Sequence, residues 1–191
     1  MSKSYSFVGI DYGSKMAGTT AVAFWDKGQV VVNQSKKKQD ADQFLQEEIK
    51  RLNVKGVFID APLSLPNAFY GRGDDFFYRK CDRDLSAMSP MFLGGLTARA
   101  MKLKASFEIP FYEAYPGALA KELILHEFDY KKDINRLVEC RSMLENAFAI
   151  KVKRLENWHQ FDAVLAFCTG IRRDRNDCKV FGDEDEGLIH V

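Results

Sequence analysis

The sequence predicts an α/β fold, and three observations carry that expectation. Two short apolar runs, Ser6 to Asp11 (SFVGID) and Gly56 to Asp60 (GVFID), each stop at an aspartate, as buried strands do when they reach a polar edge. Between and after them lie segments whose apolar residues recur at helical spacing. Hydrophobic residues make up 46% and charged residues 29% of the 191, a mixture that builds one core instead of remaining disordered.

Each element follows from local pattern. Ser6 to Asp11, Thr19 to Trp25 and Gln29 to Asn33 are rich in strand formers, with Lys27-Gly28 as a turn, so they form an antiparallel meander. From Asp40, the residues Phe44, Leu45, Ile49 and Leu52 share one helical face, and Asp40 with Gln43 fits a capping box. Gly56 to Asp60 is a buried fourth strand, and Pro62 keeps it from turning straight into a helix. Residues 67–104 are punctuated by Gly71, Gly73, Pro90, Gly94 and Gly95. They form an insertion over one end of the sheet, helical around 75–86 and 96–105. Phe111 to Tyr115 alternates as a strand and Pro116 opens a helix. A further helix is expected over about 131–150. Asn157 then caps a helix reaching Arg173, whose basic end suits the dipole. Gly187 to Val191 is expected to return as an edge strand. Without repeat or linker, residues 1–191 are expected to be a single domain.

Bulk properties narrow the function. No stretch approaches the roughly 20 apolar residues of a membrane span, and the opening Met1-Ser2-Lys3-Ser4-Tyr5 lacks the apolar centre of a secretion signal. A cytoplasmic protein without a membrane partner is expected. Cys81, Cys140, Cys168 and Cys178 are widely spaced with no Cys-x-x-Cys pair, which argues for reduced thiols over a zinc cluster or disulfide framework. A formal net charge of +1 excludes a uniformly basic coat for indiscriminate duplex binding but leaves room for a local basic patch.

The chemistry is expected to lie with three acids. Asp11 closes the first strand, Asp60 closes the fourth, and Asp162 sits inside a mostly apolar helix where a lone carboxylate is costly unless paired or bound to metal. Small residues near Asp162, including Ala166, Thr169 and Gly170, let that helix approach the sheet. If strands one and four are neighbours, Asp11 and Asp60 end side by side at the carboxyl edge, where open α/β sheets bind ligands. Like charges so close need a cation, and hard oxygen donors suit Mg2+ or Mn2+, which activate water and stabilise the departing oxygen of a phosphodiester. Each acid alone also fits a structural cap; three together favour a shared site.

Further motifs connect these residues to a family. Gly9-Ile10-Asp11, Ile59-Asp60-Ala61-Pro62-Leu63-x-Leu65-Pro66, Arg79-x-Cys81-Asp82, Tyr112-Glu113-Ala114-Tyr115-Pro116, Asp162-Ala163 with Ala166, and Glu186-Gly187-x-Ile189 occur in that order over nearly the whole chain. Together they resemble the DUF429 family of ribonuclease H-like nucleases. The resemblance implies a ribonuclease H-like fold with a five-stranded mixed sheet flanked by helices, the first three strands antiparallel. It also implies an acidic site from strand one, strand four and the last helix, with Glu113, Arg79 and Asp82 at characteristic positions and Glu113 expected among the catalytic acids. His159-x-x-Asp162 is similar to the last-helix ligand pattern of Holliday-junction resolvases, so His159 is expected as a fourth metal ligand. Those resolvases usually carry Glu where this chain has the shorter Asp60.

The insertion interleaves Arg79, Lys80, Arg83 and Arg99 with Phe69, Tyr70, Phe76, Phe77, Tyr78 and Phe92, a composition suited to substrate contact with single-stranded or distorted nucleic acid, although nearby acids dilute it. A metal-dependent nuclease or phosphodiesterase is therefore expected. Two other readings stay open. Asp11 to Thr20 (DYGSKMAGTT) resembles the first phosphate loop of actin-like sugar kinases, which would make the protein a nucleotide-binding phosphotransfer protein. A noncatalytic nucleic-acid or protein binding module would instead use the same fold with its acids structural.

Overall fold

The computed structural model describes residues 4–191. Its strands are β1 (Phe7–Asp11), β2 (Ala21–Asp26), β3 (Gln29–Gln34), β4 (Gly56–Asp60), β5 (Phe111–Ala114), β6 (Val180–Asp183) and β7 (Gly187–His190). They form one seven-stranded mixed sheet in the order β3-β2-β1-β4-β5-β7-β6. β1, β2 and β3 run antiparallel, as the short Lys27-Gly28 turn requires, while β4 joins β1 in parallel with Asp11 opposite Asp60.

The sheet exceeds the expected five strands because residues 180–190 form a hairpin. β7 pairs parallel with β5 and antiparallel with β6, so β7 lies inside the sheet and β6 takes the edge that β7 was expected to occupy. β6 carries little periodic signal, since Val180 and Asp183 are exposed and Gly182 stands at φ 103.

The described residues form seven α-helices around the sheet: α1 (Ala41–Leu52), α2 (Lys80–Leu85), α3 (Pro90–Leu93), α4 (Gly95–Ala105), α5 (Pro116–Glu122), α6 (Leu137–Phe148) and α7 (Trp158–Asp174). Asp40 caps α1 by accepting from the amides of Asp42 and Gln43. The reciprocal half of the capping box is missing, because the Gln43 amide group turns to Glu47. Asp75 takes the amides of Phe77 and Tyr78, which holds residues 75–79 outside a helix and delays α2 to Lys80. Similarly, α6 starts at Leu137, later than expected, after a 3-10 turn at Ile134–Arg136 that Asp133 caps. Among the described residues no helix is long and apolar enough to cross a membrane.

Strand alternation decides which side chains meet which layer. Val8, Ile10, Val22, Val57, Ile59 and Phe111 pack under α1 and α4. Phe7, Ala23, Phe58 and Ala114 face the opposite layer, built from α5, α6 and α7. Asp11 and Asp60, one residue beyond Ile10 and Ile59, therefore project toward α7. That helix lies directly on β1: a Cβ on Gly9 would stand 2.1 Å from the Phe167 nitrogen and 2.3 Å from the Ala163 oxygen. Gly170 is as tightly fitted, against the rings of Phe7 and Phe58.

Candidate metal centre

Backbone packing brings the three expected acids together. With Gly9 admitting the α7 backbone, Asp162 reaches the carboxyl ends of β1 and β4, and one oxygen from each of Asp11, Asp60 and Asp162 lies within 4.8 Å of the others. Three hard oxygen donors in that space match what a small divalent cation takes from protein. A pocket of about 230 Å3, lined by Asp11, Asp60, Pro62, Met88, Leu96 and Tyr115 among others, opens beside them.

The three carboxyl groups differ in their surroundings. Asp11 Oδ2 lies 2.7 Å from His159 Nδ1. Asp162, almost fully buried, receives the Tyr130 hydroxyl on one oxygen and sits 2.5 Å from Lys131 Nζ on the other. Asp60 is the exception. Its carboxyl group takes no hydrogen bond from the described residues, and burial, with Asp11 and Asp162 adding to it, pushes its pKa well above the ordinary 3.8. Burial also raises Asp162, to about 6, despite Lys131. The hydrogen bond to Asp11 raises the His159 imidazole.

His159 thus holds Asp11 and does not join the three aspartates as a fourth donor atom within the same space. Glu113 lines the same pocket but is not one of the three clustered donors. It pairs in register with Ile59, so alternation sends it to the α4 side of the sheet, one position out of phase with Asp60. There both its oxygens are engaged, Oε1 by Arg79 at 2.7 Å and Oε2 by Arg79 at 2.8 Å and the Leu63 amide at 3.0 Å.

Arg79 is fully buried, and each of its five guanidinium donors has an acceptor on Asp82, Glu113 or Ser64. No donor remains for a substrate. Of the other cations expected to bind substrate, Lys80 pairs with Asp84 and Arg83 with Asp75, both on the surface, and Arg99 clamps Asp42 while covering the Tyr12 ring. Arg99 also donates to the Gly13 carbonyl, and the Gly13 amide donates to Thr20 Oγ1, so the glycine-containing loop after β1 closes on its own residues. The insertion aromatics are less enclosed than a helical core would make them: Phe69, Tyr70, Phe76, Phe77 and Phe92 are between 44% and 64% exposed.

Two residues of the centre escaped the sequence reading. Tyr130 and Lys131 come from the irregular segment between α5 and α6, where Ile124, Asp129 and Lys131 all hold left-handed backbone angles. Their only trace was a Tyr-Lys-Lys run ahead of Asp133, which resembles any solvated loop. At the C-terminal acidic run, Glu186 is tied down, accepting from the amides of Asn67 and Lys80. No protein-family model matches the chain, and a search of curated proteins finds no match.

Proposed function

We propose that this protein is a divalent-metal-dependent nuclease or phosphodiesterase, and that its centre is Asp11, Asp60 and Asp162. The observation that carries the reading is the approach of these three oxygens to within 4.8 Å at the carboxyl ends of two adjacent parallel strands. Asp60 strengthens it, because a partly buried carboxyl group with no hydrogen-bond donor among the described residues and two acidic neighbours gains most from a cation. A bound Mg2+ or Mn2+ would supply a polarised phosphoryl oxygen and an ionised water. Asp11 and Asp162 would hold it, Asp60 would complete the set or orient the water, and His159 keeps Asp11 aligned through Nδ1.

The strand order β3-β2-β1-β4-β5 with an antiparallel first half supports a ribonuclease H-like reading of the core, onto which β7 and β6 are added. The ordered motifs from Gly9 to Ile189 support kinship with the DUF429 family. Exposed aromatics beside Arg72, Lys80 and Arg83 favour an unpaired or distorted strand, whose bases stack on rings, over a regular duplex.

Labelled RNA, single-stranded DNA, hybrid and branched DNA, incubated with Mg2+ or Mn2+, test the proposal against Asp11→Asn purified alongside. The parent is expected to cleave at least one of them, and the variant at least about 100-fold more slowly. Equal rates in the two proteins would overturn it.

A further inference from the structure

Lys131 is unusual among the surface lysines in reaching a buried acid. Its Nζ is 2.5 Å from Asp162 Oδ2, although the side chain is half exposed and Asp162 is not. Asp11 and Asp60 also act on the ammonium, so it sits in the field of all three carboxylates. The residue is presented by a left-handed backbone position (φ 63), and its neighbour Tyr130 is wedged against Trp158 and Phe161 while donating to the other oxygen of Asp162. The anchor is therefore Tyr130, and the lysine side chain beyond it is half exposed.

An ammonium on one of three clustered carboxylates occupies ground that a divalent cation needs. Once Asp162 serves as a metal ligand, the ammonium loses its place there but remains tethered at the rim of the centre. An anion bound over the three carboxylates would be next to that ammonium, which already sits in their field.

Resting on the metal-centre reading above, we infer that Lys131 is a displaceable counter-ion that becomes a phosphate-binding residue: it holds Asp162 while the centre is empty, gives it up to the divalent cation, and then contacts the phosphodiester undergoing cleavage. Lys131 is thus a second source of charge stabilisation for the phosphoryl oxygens, arranged so that it is released only in the metal-loaded protein.

The test measures Mn2+ binding by calorimetry and single-turnover cleavage at saturating Mn2+ for the parent, Lys131→Met and Lys131→Arg. Lys131→Met is expected to bind Mn2+ about tenfold more tightly, since no ammonium competes, yet to cleave at least about 100-fold more slowly. Lys131→Arg is expected to stay within about tenfold of the parent rate. Should Lys131→Met fail to fold, Lys131→Gln gives the same two readings. Mn2+ binding in the neutral variant that is unchanged or weaker, or cleavage at the parent rate, overturns the role of Lys131 while leaving the metal centre intact. A parent protein that binds no Mn2+ overturns the metal centre and this inference together.

Discussion

Two clusters of acids lie at neighbouring positions on the sheet and are resolved in opposite ways. Asp82 and Glu113 surround Arg79, which is fully buried and has a partner for every donor, with Ser64 taking the fifth bond. Among the described residues, Asp11, Asp60 and Asp162 have only cations from the rim, Lys131 and His159, both about half exposed, and Asp60 has no hydrogen-bond donor. The first cluster is closed and saturated. The second is open on one side and short of positive charge. Burial of acids alone therefore does not mark a site; what separates the two is whether the protein supplies all the charge and hydrogen bonds the acids require.

The largest effect that tests this contrast is on the closed cluster. Arg79→Met leaves Asp82 and Glu113 buried without their cation and is expected to cost about 3–5 kcal/mol in urea unfolding. Arg79→Lys should recover only part of that, because an ammonium cannot satisfy the same fork of acceptors. A loss for Arg79→Met below about 1 kcal/mol would show that the cluster is not the structural lock described here.

Gly9→Ala addresses the open cluster without touching the closed one. The added methyl would run into the α7 backbone at Phe167 and Ala163, so helix and strand must separate, at a cost of about 1–3 kcal/mol. Asp162 moves away from Asp11 and Asp60 as α7 shifts. Mn2+ binding should weaken in the folded variant, by calorimetry, while the Arg79 pairing persists. Full Mn2+ affinity in Gly9→Ala would mean that the three oxygens do not depend on this close approach.

Much of this contrast was legible in the sequence. Asp11 and Asp60 stand out because apolar strands end on them, and Asp162 because its helix is apolar and its flank small; these are period and volume signals that survive without coordinates. Glu113 was expected among the acids only through the family resemblance; as the third residue of β5 it points to the α4 side of the sheet, one position out of phase with Asp60, and reaches the pocket from there. Arg79 looked like a free cation because nothing local announces its partner Glu113, 34 positions away. Tyr130 and Lys131 lie in a segment without periodicity, where only tertiary contacts give them meaning. The β6–β7 hairpin was half seen: residues 187–191 were expected as an edge strand, whereas β6 is exposed at both ends and interrupted by Gly182.

The smallest effect is the most specific to the open cluster. Burial and mutual repulsion raise the folded pKa of Asp60, and that of Asp162 to about 6 from an ordinary 3.8. A raised acid stabilises the folded chain fully below its unfolded pKa, and this stability is lost as pH rises through the folded pKa. Asp60→Asn removes one of the charges that must form. In the absence of metal, the variant and parent should therefore be nearly equal in stability near pH 4, with the variant gaining about 1–2 kcal/mol by pH 8. Mn2+ affinity of the parent runs the other way, rising with pH by up to about tenfold per unit for each proton released, because ligands must ionise. Chemical denaturation of both proteins across that range, with and without Mn2+, separates the two slopes. A stability difference that stays flat from pH 4 to 8 would mean that Asp60 is already neutralised by the protein, and the open cluster would then be as closed as its neighbour.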